Sequence, residues 1–202
     1  MAVAIGRKAG PDDAAAVIVV EEGMDLRTSV PPEGIEVRLV DSYTAEDRLD
    51  LAGGQKDPSQ TSEYGLQWRP TEKHVVVFAG GKAVCHVGLV KHTVIVDAHP
   101  VCVAGIGGVL TRSECRGHGY GRAGMEAAEN FAIREWGVQF LLLFCRPALE
   151  EWYGSLGWSR ITQSVWIEQR EGSILAPLVT MVKALTQNMW PQGEVRLCSL
   201  PW

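Results

Sequence analysis

Arg116-Gly117-His118-Gly119-Tyr120-Gly121-Arg122 decides how this chain is read. It lies between an apolar strand pattern, Val101 to Leu110, and a helical pattern from about Gly119 to Trp136. Glycine lets a backbone approach a ligand closely, because no Cβ stands in the way. A helix start offers N–H groups without intrahelical partners, at the positive end of the helix dipole. Together these features predict a cradle for a phosphate-bearing ligand.

Reading outward, His74 to Ala79 and Ala83 to Val96 are strands joined by a Gly80-Gly81 hairpin turn. Ala98-His99-Pro100 turns the chain into the strand that enters the loop, so two hairpins follow one another. Upstream, Ile35 to Val40 alternates with period two and reads as a strand. Residues 43–70 are polar with a weak helical signal. After the loop, Met125, Ala128, Phe131, Ala132 and Ile133 form an apolar stripe at helical spacing, and Gly137 suits the helix C-terminus. Val138 to Phe144 is apolar almost throughout, as expected of a strand buried on both faces in parallel pairing. Pro147 to Leu156 reads as a short helix, and Ser164 to Gln169 and Leu178 to Ala184 as strands.

Composition narrows the function. The chain has 202 residues, 46% of them hydrophobic, with a net charge of −5. Phosphate backbones call for basic faces, so nucleic acid is not an expected partner. The five cysteines are odd in number and form no C-x-x-C, which argues against a disulfide framework or a zinc site. The apolar run Ala14 to Val20 is too short for a membrane span. A cytoplasmic protein without a membrane partner is the expectation. Residues 1–34 are read as an extension, packed on the domain at 35–202 or on a second copy, which would make a homodimer.

Gly119, Gly121 and Gly124 also fit the dinucleotide fingerprint G-x-G-x-x-G. The context is wrong for it. Polar residues 111–118 separate the loop from its strand, and Leu141 to Cys145 lack the acid expected about 20 positions on. A further alternative is that the glycines serve only tight helix–sheet packing.

Arg116-x-x-Gly119-x-Gly121 resembles the R/Q-x-x-G-x-G/A signature of the GNAT superfamily of acetyl-CoA-dependent N-acetyltransferases. The stretch Ala148 to Trp158, with Tyr153 and Gly157, is similar to that family's helix after the buried strand. The resemblance implies an α/β fold: a mixed, mostly antiparallel central sheet with a splayed strand pair, flanked by helices. It implies that Arg116, Gly117, His118, Gly119, Tyr120, Gly121 and Arg122 hold the diphosphate of coenzyme A. Val109, Leu110 and Thr111 would pair with the pantetheine arm as an added strand. One N–H there would polarise the thioester carbonyl. Gly105, Gly107 and Gly108 would permit the bulge that opens the strands.

Further roles follow from the resemblance. Tyr153 would protonate the leaving thiolate. Cys145 would touch the thioester arm. Related enzymes often carry a glutamate on the splayed strand as base; Gly107 stands there in this chain, and His86 is the base candidate in its place. Within the superfamily the chain resembles aminoglycoside 2'-N-acetyltransferases, through the length of strand 83–96, the loop Arg112-Ser113-Glu114-Cys115-Arg116-Gly117 and the tail at Trp202. That implies a small amine as acceptor, bound among Glu63, Gly107, Phe144, Glu171 and Trp202. Other small amines, peptide N-termini and a non-catalytic acyl-CoA-binding role stay open at this point.

Overall fold

The structure, a computed structural model, describes residues 16–18 and 34–202; most of the N-terminal extension lies outside them. The described residues form two units, each assembled from segments far apart in sequence.

The first unit takes the chain up to Pro58, then Glu72–Gly88 and Gly108–Ala128. Strand β1 (Ala16–Ile18) pairs antiparallel with β2 (Ile35–Val40), and β2 pairs antiparallel with β3, Lys73–Ala79. Between β2 and β3 lies helix α1 (Ala45–Leu51). Its start is a capping box: Thr44 Oγ1 accepts from the Asp47 amide at 3.1 Å, and the Asp47 carboxylate accepts from the Thr44 amide at 2.8 Å. Gly80 and Gly81 adopt φ of +56° and +76°, the two positive angles a tight hairpin needs. They lead into β4 (Lys82–Val96). This unit also holds the end of β5 (His99–Thr111) and the start of α2 (Tyr120–Trp136). A Cβ on Gly124 of α2 would stand 3.1 Å from Val87 and 3.4 Å from Cys85. That glycine therefore serves close helix–sheet packing.

The second unit holds Ser59–Thr71, Leu89–Gly107 and Glu129–Trp202. Its centre is β6 (Phe140–Cys145), with Leu141, Leu142 and Leu143 buried. The parallel pairing expected from its apolar run is present: Val103 stands opposite Phe140 and Ile106 opposite Leu143. A 3₁₀ turn, Pro147–Leu149, leads into helix α3 (Glu150–Ser155). Beyond it come β7 (Ser159–Arg160), β8 (Val165–Gln169), β9 (Gly172–Leu175), β10 (Val179–Ala184) and β11 (Val195–Arg196). β10 pairs antiparallel with both β6 and β7, so the sheet is mixed. β8 and β9 form a hairpin, and β11 runs parallel to β8 and antiparallel to β4. Lys183 of β10 pairs with Glu129 of α2 at 2.6 Å, both largely covered. Phe131 and Ala132 of α2 are buried, but Ile133 of the expected stripe is exposed. No described helix is long and apolar enough to cross a membrane.

Candidate active site

The glycine loop belongs to the first unit. Arg112 anchors its entrance: the guanidinium donates to Asp50 at 2.7 Å and to the Ala83 carbonyl at 3.2 Å. Gly117 and Gly119 have φ of +80° and +81°, a region that side-chain-bearing residues avoid. The first helical bond of α2 runs from the Ala123 amide to the Gly119 carbonyl at 3.0 Å. The N–H groups of Tyr120, Gly121 and Arg122 therefore stand outside the helical ladder. No acidic side chain occupies that first turn. Amides at the positive end of a seventeen-residue helix, without a competing carboxylate, fit a diphosphate.

The side chains of the loop divide their work. Arg116 Nε donates to the Thr111 carbonyl at 3.3 Å, tying the loop to the end of β5. His118 folds back on the loop. Its Nδ1 turns back to the Arg116 and Cys115 carbonyls at 3.0 and 3.3 Å, and its ring stacks on Tyr120. Its Nδ1 thus braces the loop.

Gly108 is where β5 leaves regular strand geometry, with φ of +58°. Its carbonyl accepts a 2.7 Å hydrogen bond from His86 Nδ1. His86 Nε2 lies 3.0 Å from His74 Nδ1, and Tyr43 stacks on the His86 ring with centroids 4.2 Å apart. A carbonyl only accepts, so Nδ1 of His86 carries the proton and Nε2 accepts from His74. Burial pushes the His86 pKa down to about 3, so the ring is neutral. This corrects the expectation of His86 as base. Both nitrogens are engaged, and the side chain is 1% exposed. Of the strand residues beyond Gly108, Val109 is half-buried and Leu110 buried, while the Thr111 hydroxyl donates to Cys85 Sγ at 3.4 Å.

The second unit carries the other candidates. Its β5–β6 ladder ends at Ile106 and Leu143, so Phe144 and Cys145 of β6 have no β5 partner. Trp202 is buried; its indole Nε1 donates to the Leu142 carbonyl at 3.4 Å. It meets Phe144 edge-on at 5.9 Å and His92 at 5.5 Å. The tail before it is pinned by the Arg69 amide on the Pro201 carbonyl at 2.7 Å, and by His92 Nε2 on the Leu197 carbonyl at 2.7 Å. A Cβ on Gly105 would overlap the Trp202 indole, and one on Gly107 would overlap its main-chain carbonyl. Gly105 and Gly107 therefore make room for Trp202, and Gly108 alone has the left-handed geometry of a bulge. The bulge expectation is corrected for the first two.

Tyr153, on α3, is 5% exposed and sits edge-on to Trp152 at 4.7 Å and Trp158 at 6.0 Å. The Cys145 thiol faces Met181 Sδ at 3.8 Å, and burial pushes its pKa up to about 11. A thiol so hard to ionise is a poor nucleophile. Glu63 lies exposed in a 3₁₀ turn, and Glu171 lies exposed between β8 and β9. Both have the setting of solvated surface charges.

Sequence reasoning missed His74 and Tyr43, which hold His86. The available signal was two histidines on the two arms of one hairpin. The role of Gly105 and Gly107 was also missed, because only the folded tail shows what they accommodate.

The sequence model described as the acetyltransferase (GNAT) family matches residues 39–158, more than half of the chain. No curated protein sequence matches. Among solved structures, the chain is similar to a GNAT-family N-acetyltransferase from Escherichia coli in complex with CoA. The two share 14% identity at a TM-score of 0.54, over 85% of this chain and 93% of that one. An acyl-CoA N-acyltransferase from Pseudomonas aeruginosa aligns with 19% identity and a TM-score of 0.50, over 75% of this chain and 100% of that one. N-acetylglutamate synthase from Neisseria gonorrhoeae, complexed with coenzyme A and N-acetyl-glutamate, shares 13% identity at a TM-score of 0.50, over 75% of this chain and 35% of that one. These likenesses establish the expected fold, an α/β GNAT domain with a mixed sheet flanked by helices. The chain belongs to the GNAT family of acetyltransferases, and acetyl-CoA is its acyl donor.

Proposed function

We propose that this N-acetyltransferase passes the acetyl group directly to a primary amine of a small cationic acceptor, with an aminoglycoside 2'-amino group as the first acceptor to test. Acetyl-CoA supplies an activated thioester carbonyl. The donor part of the reading rests on the first unit. The amides of residues 120–122 and left-handed Gly117 and Gly119 suit the diphosphate, and Arg116 and Arg122 add positive charge. Strand residues Val109, Leu110 and Thr111 suit the pantetheine arm, as an added strand.

The acceptor part rests on Trp202, and its placement is the observation that carries the reading. The Trp202 main-chain oxygen lies 2.9 Å from where a Gly107 Cβ would be. Related enzymes often carry a strand glutamate at that position. An oxygen acceptor is thus retained there, supplied by the tail instead of by the strand. It can hold an amine by its N–H, while water carries the proton away. The half-buried rings of Phe144 and His92, backed by the buried Trp202 indole, give a sugar ring apolar faces to rest on. Tyr153 serves as the acid for the departing sulfur. Cys145, held protonated, supports direct transfer without an acyl-enzyme.

The test is thiol release from acetyl-CoA in the presence of a panel of aminoglycosides, with polyamines and amino acids alongside. Turnover on aminoglycosides with acetylation at the 2'-nitrogen is expected. Turnover confined to the other amines would remove the aminoglycoside and leave the transferase.

A further inference from the structure

The left-handed turn of β5 at Gly108 is held from inside the protein. The Gly108 carbonyl accepts from His86 Nδ1 at 2.7 Å, and His86 Nε2 lies 3.0 Å from His74 Nδ1. His86 and His74 are buried, whereas Gly108 is exposed and Val109 half-buried. A trans peptide is planar, and its C=O and N–H point in opposite directions. No described peptide bond is cis. The N–H of Val109 is therefore aimed away from His86. Fixing one end of this peptide fixes the other.

We propose that His86, oriented by His74, is a positioning residue: it clamps the Gly108–Val109 peptide so that the Val109 N–H meets the carbonyl oxygen of the acetyl thioester. This deepens the acetyl-transfer reading and rests on it. In the step it serves, the amine nitrogen bonds to the carbonyl carbon and the carbonyl π electrons move onto oxygen, where the N–H stabilises them. The carbon–sulfur bond then breaks, the amine loses a proton, and the thiolate gains one. A rigid donor matters because charge stabilisation depends on geometry set before reaction. The tautomer matters equally. Imidazole can donate from either nitrogen, and the His74 donor leaves Nδ1 as the only place for the His86 proton.

Valine-¹⁵N-labelled full-length protein tests this, with coenzyme A and acetyl-CoA as probes. The two ligands differ only in the acetyl group. In the wild type, acetyl-CoA should move the Val109 amide resonance downfield relative to coenzyme A. His86→Leu should lose that acetyl-dependent shift while still binding coenzyme A by calorimetry. His86→Asn should restore it, because Nδ2 of Asn stands as many bonds from the backbone as Nδ1 of His. His74→Leu, which frees the His86 tautomer, should weaken the shift and carries the test where His86→Leu does not fold. An intact acetyl-dependent shift in folded His86→Leu would overturn the clamp and leave acetyl transfer standing. So would a His86→Leu protein of lowered thermal stability that still binds coenzyme A and keeps the shift. A wild type that does not bind coenzyme A would overturn the functional reading itself, and the clamp with it.

Discussion

A Cβ built on Gly107 would lie 2.7 Å from the main-chain carbonyl carbon of Trp202. Gly105, two residues earlier on the same strand, sits still closer beneath the Trp202 indole. Side chains at either position would displace the tail, because van der Waals overlap on this scale is not absorbed by a packed interior. Gly105→Ala should cost about 1–3 kcal/mol of stability, read as a lower melting temperature. Trp202→Ala in the same chain should recover part of that loss, since it removes the atoms in conflict. Additive effects in the double variant would show that the two residues do not meet.

The diphosphate cradle predicts the behaviour of Gly119→Glu. Gly119 has φ of +81°, so any side chain is strained there, and a carboxylate adds negative charge beside the amides of residues 120–122. Calorimetric binding of coenzyme A should vanish. Gly119→Ala carries the strain without the charge and should bind more weakly than wild type but measurably. Equal affinity in Gly119→Glu and wild type would place the diphosphate elsewhere.

The buried histidines make stability depend on pH in a defined window. An unfolded histidine titrates near 6.5, whereas burial lowers His86 to about 3 and lowers His74 as well. Arg48 pushes both down further, and Asp41 opposes it at His74. Between those limits the unfolded chain binds more protons, so acid favours unfolding. Stability should be full above about 6.5 and fall as pH drops toward 3. Carboxylates such as Glu36 and Asp47, whose pKa values are lowered by their partners, contribute a separate loss that begins only below about 4.5. His86→Asn should flatten the upper part of the curve and leave the lower part. Melting temperatures that do not change with pH between 6.5 and 4.5 would contradict the neutral, buried pair.

Much of this architecture was legible in local pattern. The Gly80-Gly81 turn, the two long strands after it and the helix after Gly119 follow from periodicity and turn chemistry, although the turn between those strands falls at Asp97–Ala98 and His99 and Pro100, expected in it, belong to β5. The two-residue strands β7 and β11 were not legible, since their pairing is set by neighbours and not by their own residues. The four exposed residues of β9 carry no alternation to read. At the site, the glycine loop announces itself because glycine is a backbone signal. His86 misleads, because a titratable ring on a strand looks like a base until its hydrogen bonds are known. Trp202 and Gly105 meet across nearly a hundred residues, and no local pattern encodes such a contact.

Cys145 separates direct transfer from a covalent route. Its thiol is buried against Met181 with a pKa near 11. Cys145→Ala should keep turnover within a few-fold of wild type, the change reflecting the small cavity left behind. Mass spectrometry of wild type incubated with acetyl-CoA alone should show no acetylated Cys145. An acetyl adduct on that sulfur that forms and discharges as fast as turnover would establish an acyl-enzyme.

Tyr153 gives the sharpest kinetic expectation. Its ring is wedged beside Trp158 and Trp152 and is 5% exposed, so Tyr153→Phe preserves the packing and removes only the hydroxyl. A group that protonates the leaving sulfur acts after the donor is bound. Its loss should therefore lower kcat by about a hundredfold while the KM for acetyl-CoA changes little. The alkaline limb of the kcat–pH profile, where a phenolic acid would lose its proton, should vanish with it. A phenylalanine variant that turns over at the wild-type rate would assign the proton to solvent, and Tyr153 would then serve only to pack α3.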